Sequence, residues 1–342
     1  MAEETQLRDF PSLFSVKGKV VVITGGSRGL GLIAASALLQ AGAAKVFISS
    51  RKADACVAAC AALNALPNRA PGALAIPVPA DSATLAGVRH LVAEVARQTD
   101  HVDVLLANAG ASWGERFDSH PDEAFAKVMD LNVRGVFNAI REFAPLLEKR
   151  ATVAEPSRVI ITASVAGLVI GTVGRQGTYG LLLPCFLLFS WRWECRCRRC
   201  CPPFFFAVAL ASSCLALNPF QKNMLTFHSR DTGYSASKAA VIHLGRNLAI
   251  ELGPRHITVN SICPGLFPTK MSNGLMKLIG GTDELAKANP MKRLGEPDDI
   301  AGVVVFLASR AGAHVNGATI TVDGGQMWTQ ANMMTPGEAA KL

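Results

Sequence analysis

The chain has 342 residues, 50% of them hydrophobic and 18% charged, with 30 glycines and no internal repeat. That length carries one large α/β domain or two modest ones around a substantial core, and the composition excludes a fibrous or disordered chain. The formal charge is +8, but residues 181–233 hold six Arg/Lys against two Asp/Glu, so half of the excess sits in one segment; no basic stripe is interleaved with aromatics, and nucleic acid is not expected as a partner.

In chain order, MAEETQLRDF is acidic and polar. It lacks the layout of a secretory signal or a transit peptide, so a cytoplasmic location is expected. Residues 1–14 read as an N-terminal extension. KVVVITGG (19–26) is a β-branched run ending in glycines, which predicts a buried strand and a tight turn. SRGLGLIAASALLQAG (27–42) follows with helical spacing and a Gly stop. KVFISS (45–50) and LAIPVPAD (74–81) read as strands, TLAGVRHLVAEVARQ (84–98) as an amphipathic helix, and VDVLLANAG (102–110) as a fourth strand. DEAFAKVMDLNVRGVFNAIREFAPLLEKR (122–150) is a long helical stretch, and SRVIITAS (157–164) a fifth strand. YSASKAAVIHLGRNLAIELG (234–253) is a helix stopped by Gly-Pro. ITVNSICPG (257–265), PDDIAGVVVFLAS (297–309) and ATITVDGG (318–325) read as strand, helix and strand. Strands of apolar, β-branched character alternating with helices predict a doubly wound parallel sheet of Rossmann type, in a single α/β domain over residues 15–327 with a C-terminal tail at 328–342.

TGGSRGLG (24–31) falls between the first strand and the first helix, where a dinucleotide fold places its phosphate turn. Gly25, Gly29 and Gly31 let the backbone turn and approach a pyrophosphate; Thr24, Ser27, Arg28 and Leu30 complete the stretch, and the helix start offers N–H groups and a positive dipole end. A glycine-rich turn without a ligand is the plainer alternative, and the strand–turn–helix context favours the nucleotide. At the end of the second strand, NAD-selective sites place an acid on the ribose. This chain has Ser50 and Arg51 there, with Lys52 next and Arg28 in the glycine turn, so NADP(H) is expected in preference to NAD(H).

The pieces TGGSRGLG, Asp81 after the third strand, NAG at 108–110, Asn132 in LNVRG, Ser164, YSASK at 234–238 and PG at 264–265 resemble the short-chain dehydrogenase/reductase family, in that family's order and over residues 15–327. Within it the chain is most similar to 3-oxoacyl-(acyl carrier protein) reductases, including the rhamnolipid-type branch, and to gluconate 5-dehydrogenase-like sequences. The resemblance is specific for fold and chemistry and poor for substrate. It implies an oxidoreductase that interconverts a small-molecule ketone and a secondary alcohol, with a 3-oxoacyl thioester or a similar carbonyl as substrate.

The residues support that chemistry. Tyr234 and Lys238 are four apart and share a helix face. A free phenol titrates near about 10, and a neighbouring ammonium favours the phenolate. Such a tyrosine gives a proton to a substrate oxygen and takes it back in reverse. Tyr179, the other tyrosine, has Leu183 four residues on and is set aside. Singly, a Tyr/Lys pair is usually exposed, a strand-end Ser a cap, and a helical Asn a surface residue. Ser164 can hydrogen-bond the same oxygen. The resemblance further implies that Lys238 binds the nicotinamide ribose, that Asn132 helps a water chain reach it, and that Asn108, Ala109 and Gly110 line the cofactor groove. By the same resemblance Asp81 contacts the adenine, and Pro264, Gly265 and Thr269 shape the nicotinamide pocket. FPTKMSNGLMKLIGG (267–281) would be a substrate lid, and ATITVDGG a strand packed on a partner subunit in a homodimer or homotetramer. No metal is expected.

Ser164 and Tyr234 are 70 residues apart, and removing 181–233 joins GTYG to YSASKAA and leaves 17. This atypical insertion lies directly before the catalytic helix. Closing a loop of about 50 residues costs about 3.5 kcal/mol, against a typical stability of about 5–15. Composition is the larger difficulty: 30 of the 53 residues are apolar, with seven Phe and two Trp, where a surface loop should be polar. Cys195, Cys197, Cys200 and Cys201 are too tightly spaced for a zinc knot with no second pair. FFFAVALASSCLAL (204–217) is short of the roughly 20 residues that span a bilayer, so membrane association is not expected. A lid or partner-binding insert and a translated intron both stand, and the lack of periodicity and the clean rejoining favour the intron. A site impaired by the insertion is the alternative to an active enzyme.

Overall fold

The computed structural model describes residues 9–169, 232–273, 276 and 281–329. Tyr179, nearly all of the 181–233 insertion with its cysteines, and parts of the 267–281 stretch and of both termini lie outside the described residues.

In chain order the elements are β1 (Val20–Thr24), α1 (Gly29–Gln40), β2 (Lys45–Ser49), α2 (Ala53–Asn64), β3 (Leu74–Pro77), α3 (Leu85–Ala96) and β4 (Val104–Ala107). They continue with α4 (Asp122–Met129), a π turn (Asp130–Arg134), α5 (Gly135–Glu148), β5 (Ser157–Thr162) and a 3-10 turn (Val165–Gly167). The last are α6 (Thr232–Leu252), β6 (Ile257–Pro264), α7 (Thr282–Ala288), α8 (Pro297–Ala308) and β7 (Thr319–Val322). The strands form one parallel sheet in the order β3-β2-β1-β4-β5-β6-β7. The doubly wound expectation is met.

The strands hold because their side chains alternate between two cores. Val20 and Val22 of β1 join Phe47, Leu105, Val159 and Ile161 on one face, under Leu91, Phe143 and Val241 from α3, α5 and α6. Val21 and Ile23 join Val46, Ile48, Leu106 and Ile160 on the other, under Leu38 of α1 and Leu307 of α8. Every residue of β1 is buried, and each buried Val or Ile contributes about 1.5–3 kcal/mol.

All the strands point the same way, so their carboxyl ends share one edge. Thr24 pairs with Ser49 and Ala107, Ala107 with Ile161, and Thr162 with Ile262. The order reverses between β1 and β4, where such sheets open a crevice for a ligand.

The stretch 122–150 is helical as expected over Asp122–Glu148, with a π turn at Asp130–Arg134 dividing it into α4 and α5. Asn132 in that turn is held at both ends of its amide by Ala111, and a Cβ on Gly135 would stand 2.4 Å from the Ser82 carbonyl. The extra residue lets the helix meet both anchors. Helix α2 was not expected at all. Its inner face is Cys56, Ala59, Cys60 and Leu63, and small side chains leave little apolar stripe to read.

Candidate active site

The glycine turn and the end of β4 are built as one unit. Gly25 has φ +65° and Gly29 φ +55°, left-handed conformations that suit glycine. A Cβ on Gly25 would stand 2.9 Å from Ala109 Cα, and one on Gly31 2.5 Å from Asn108 Nδ2. The Thr24 hydroxyl accepts from the backbone N–H of both Asn108 and Ala109 at 3.0 Å. Asn108 Nδ2 donates back to the carbonyls of Thr24 and Gly25 at 3.1 Å. The Asn108 amide therefore holds the turn in shape.

At the start of α1, Arg28 makes no side-chain cap, and the first turn carries no acid. Its N–H groups are thus disposed toward an anion. Ser27 is half-buried; Arg28, Arg51 and Lys52 are exposed. Ser50 Oγ lies 3.1 Å from Cys56 Sγ, and the first acid after β2 is Asp54, inside α2. Asp81 Oδ1 accepts from Ala83 N, and the Ala80 N–H bonds the Ser50 carbonyl, which ties the Asp81 loop to the end of β2. Leu30, Asn108 and Pro264 line one small cavity with Thr162 and Ile262. Gly265 N donates to Val322 O at 2.9 Å, and Thr269 faces Gly29, its Cγ2 3.8 Å from a Cβ built there.

Lys238 is 5% exposed. Its Nζ donates to the Thr162 carbonyl at 2.8 Å and lies 5.6 Å from the Tyr234 ring centroid. Burial pushes this lysine down to about 8. Burial likewise pushes the neighbouring Cys263 thiol up to about 11, so it is neutral at neutral pH. A Cβ on Gly110 would fall 3.3 Å from Asn132 Oδ1 and 3.6 Å from Lys238 Nζ, so these three meet. Ser164 caps the 3-10 turn, its Oγ accepting from Ala166 N at 3.2 Å. That spends a lone pair and not the hydroxyl hydrogen.

The structure thus gathers Asn132, Lys238 and Tyr234 beside the glycine turn, with the Ser164 turn packed on the Lys238 segment. Thr162, Ser237 and Cys263 were not singled out from sequence. Ser237 lies within YSASK, and its place one turn from Tyr234 was the available signal. Among the described residues, no helix is long and apolar enough to cross a membrane, and no cluster of three or more His, Cys, Asp or Glu side chains could hold a metal ion.

Comparison with known proteins gives two family matches. The model described as "short chain dehydrogenase" matches residues 19–179, and the one described as "Enoyl-(Acyl carrier protein) reductase" matches residues 213–327. The chain is similar to the rhamnolipids biosynthesis 3-oxoacyl-[acyl-carrier-protein] reductase of Pseudomonas aeruginosa, 33% identical over 312 residues that cover 91% of this chain and 97% of that relative. The solved Pseudomonas aeruginosa RhlG/NADP active-site complex superposes with a TM-score of 0.71 at 32% identity, covering 92% of this chain and 99% of that one. A gluconate 5-dehydrogenase from Burkholderia cenocepacia, in complex with NADP and tartrate, shares the fold at a TM-score of 0.69 and 24% identity, over 93% and 98% of the two chains.

Proposed function

The chain belongs to the short-chain dehydrogenase/reductase family and is an oxidoreductase; on that premise we propose that it is an NADP(H)-dependent reductase acting on a ketone, with a 3-oxoacyl thioester or similar carbonyl as substrate. The observation that carries this reading is the buried Lys238 amine beside the Tyr234 ring, at the sheet edge that also holds the glycine turn. The likeness to a 3-oxoacyl-[acyl-carrier-protein] reductase supports the substrate class.

The residues fit a bound dinucleotide. The cradle at Gly25 and Gly31 has no room for a Cβ, and the α1 N-terminus is uncapped. Thr24, Gly25, Ser27, Arg28, Gly29, Leu30 and Gly31 would hold the pyrophosphate side. Ser50 and Arg51 would hold a ribose 2′-phosphate, which the lack of an acid at the end of β2 favours over a bare ribose. The likeness to a protein solved with NADP agrees with that choice. Asp81 would flank the adenine; Asn108, Ala109, Gly110, Pro264, Gly265 and Thr269 would enclose the other half. When bound, the nicotinamide supplies a hydride.

The protein's own part is placement and a proton. Ser164 retains a hydroxyl hydrogen to offer the substrate oxygen. Tyr234 gives its phenolic proton to that oxygen in reduction and recovers it in oxidation. Lys238, charged below about pH 8, favours the phenolate left behind. Asn132 holds the loop after β4 against the catalytic helix.

The test is consumption of NADPH, compared with NADH, by purified protein offered a 3-oxoacyl thioester and simpler ketones. Turnover with the thioester and NADPH supports the reading; no ketone-dependent oxidation of either cofactor overturns it. A second reading rests on the uncovered stretch 180–212 between the two family matches: the chain binds NADPH but turns over only once residues 181–233 are removed. Assembly into a homodimer or homotetramer along β7, the end strand of the sheet, belongs to the same proposal, as do a cytoplasmic location and the single domain over 15–327.

A further inference from the structure

We infer that Ser237 is a positioning residue for the reaction proposed above: it joins Asn132 to the Tyr234 carbonyl and so fixes where the phenol sits over the sheet edge. The inference rests on that reading of Tyr234 but is carried by a separate set of hydrogen bonds.

The direction of each bond is forced. Asn132 is 1% exposed and Ser237 fully buried. Asn132 Oδ1 accepts from Ala111 N at 2.9 Å, and Nδ2 donates to Ala111 O at 2.9 Å. Rotating the amide by half a turn would set donor against donor and acceptor against acceptor, so its orientation is unique. The second Nδ2 hydrogen goes to Ser237 Oγ, again at 2.9 Å. Ser237 must therefore accept from Asn132, and its own hydrogen goes to the Tyr234 carbonyl at 2.7 Å.

A serine bonding a carbonyl three residues back in its own helix is commonplace. Here the same hydroxyl also takes a hydrogen from a side chain 105 positions earlier. The chain of bonds thus runs from the loop after β4, through the π turn, into the first turn of α6. Tyr234 is the third residue of that helix. The lysine is anchored separately, by its bond to Thr162. Ser237 thereby holds the tyrosine end of the helix while β5 holds the lysine end, and the separation of phenol and amine follows from both.

The chain has only two tyrosines, so Tyr179→Phe leaves Tyr234 as the sole phenol. In full-length Tyr179→Phe protein, tyrosinate formation is followed by ultraviolet difference titration, with Ser237 intact or replaced by Ala or Thr. Turnover and NADPH affinity are measured beside it. Ser237→Ala is expected to move the phenol midpoint upward, toward the free value of about 10. It should also lower kcat about tenfold or more at nearly constant NADPH Kd. Ser237→Thr, which keeps the hydroxyl, should restore both. If Ser237→Ala does not fold, Ser237→Cys keeps the size with a weak donor and is expected to shift the midpoint the same way. An unmoved midpoint in the folded Ala or Cys variant, or a shift that Thr does not reverse, overturns the inference. The reading of Tyr234 fails by a different result, ketone reduction that survives Tyr234→Phe.

Discussion

Gly167 lies flat against the main chain of Lys238: a Cβ built on the glycine would stand 2.5 Å from the lysine's carbonyl carbon and 2.6 Å from Ala239 N. The turn that begins at Ser164 is thereby pressed onto the helix that carries Tyr234 and Lys238. Two chain segments that meet nowhere in sequence are held at backbone contact by a missing side chain.

Gly167→Ala should force that contact apart. Overpacking of this kind costs about 1–3 kcal/mol, so thermal unfolding should come earlier. Because Ser164 moves relative to Lys238, kcat should fall more than NADPH affinity. Differential scanning fluorimetry and steady-state kinetics check the two halves; a variant with parental Tm and kcat would show that the contact carries neither.

The buried amine sets a pH dependence. Burial disfavours the charged form, so Lys238 loses its proton near about 8 rather than above 10. On the proposed mechanism the ammonium below that value favours the phenolate that reduction would leave on Tyr234, and above it that help is gone. For ketone reduction, kcat/KM should be level below about pH 8 and fall above it, and Lys238→Met should lose most activity and the inflection with it. The sign for stability is opposite. Between about 8 and the unfolded lysine value near 10.4 the unfolded chain binds the extra proton, so this group makes the fold more stable as pH rises. A level rate profile across about pH 6 to about pH 10 would contradict the assignment.

On the proposed reading, cofactor choice rests on Arg51, just beyond β2. A charge-assisted bond to a phosphate is worth about 1.5–3 kcal/mol, so Arg51→Ala should weaken NADPH binding about 10–100-fold. NADH binding should change by no more than about twofold, since the ribose hydroxyl offers the guanidinium no charge. Fluorescence titration with both cofactors decides it; equal losses would place Arg51 elsewhere.

The fold was legible because β-branched runs mark each buried strand, as VVVIT does for β1, and because the glycine turn falls between strand and helix. Helix α2 escaped because alanine and cysteine make a faint stripe. The π turn escaped because its cause, the Asn132–Ala111 pair, is a tertiary contact. The same holds for the site. Tyr234 and Lys238 announce themselves by spacing, whereas Lys238 is anchored by a backbone carbonyl of β5, and no residue identity at position 162 encodes that. The part Asn108 plays as the brace of the glycine turn was not legible, since its partners are backbone carbonyls across the β1–β4 switch.

The most direct test replaces Tyr234 by Phe in the full-length chain and in a chain lacking residues 181–233, and measures NADPH binding beside ketone-dependent NADPH oxidation. A parent that turns over, in either length, should lose about 10²–10⁴-fold in kcat while its NADPH Kd stays within about twofold. Turnover that persists at the parental rate in the Phe variant, with cofactor bound, would contradict the proton transfer assigned to this phenol.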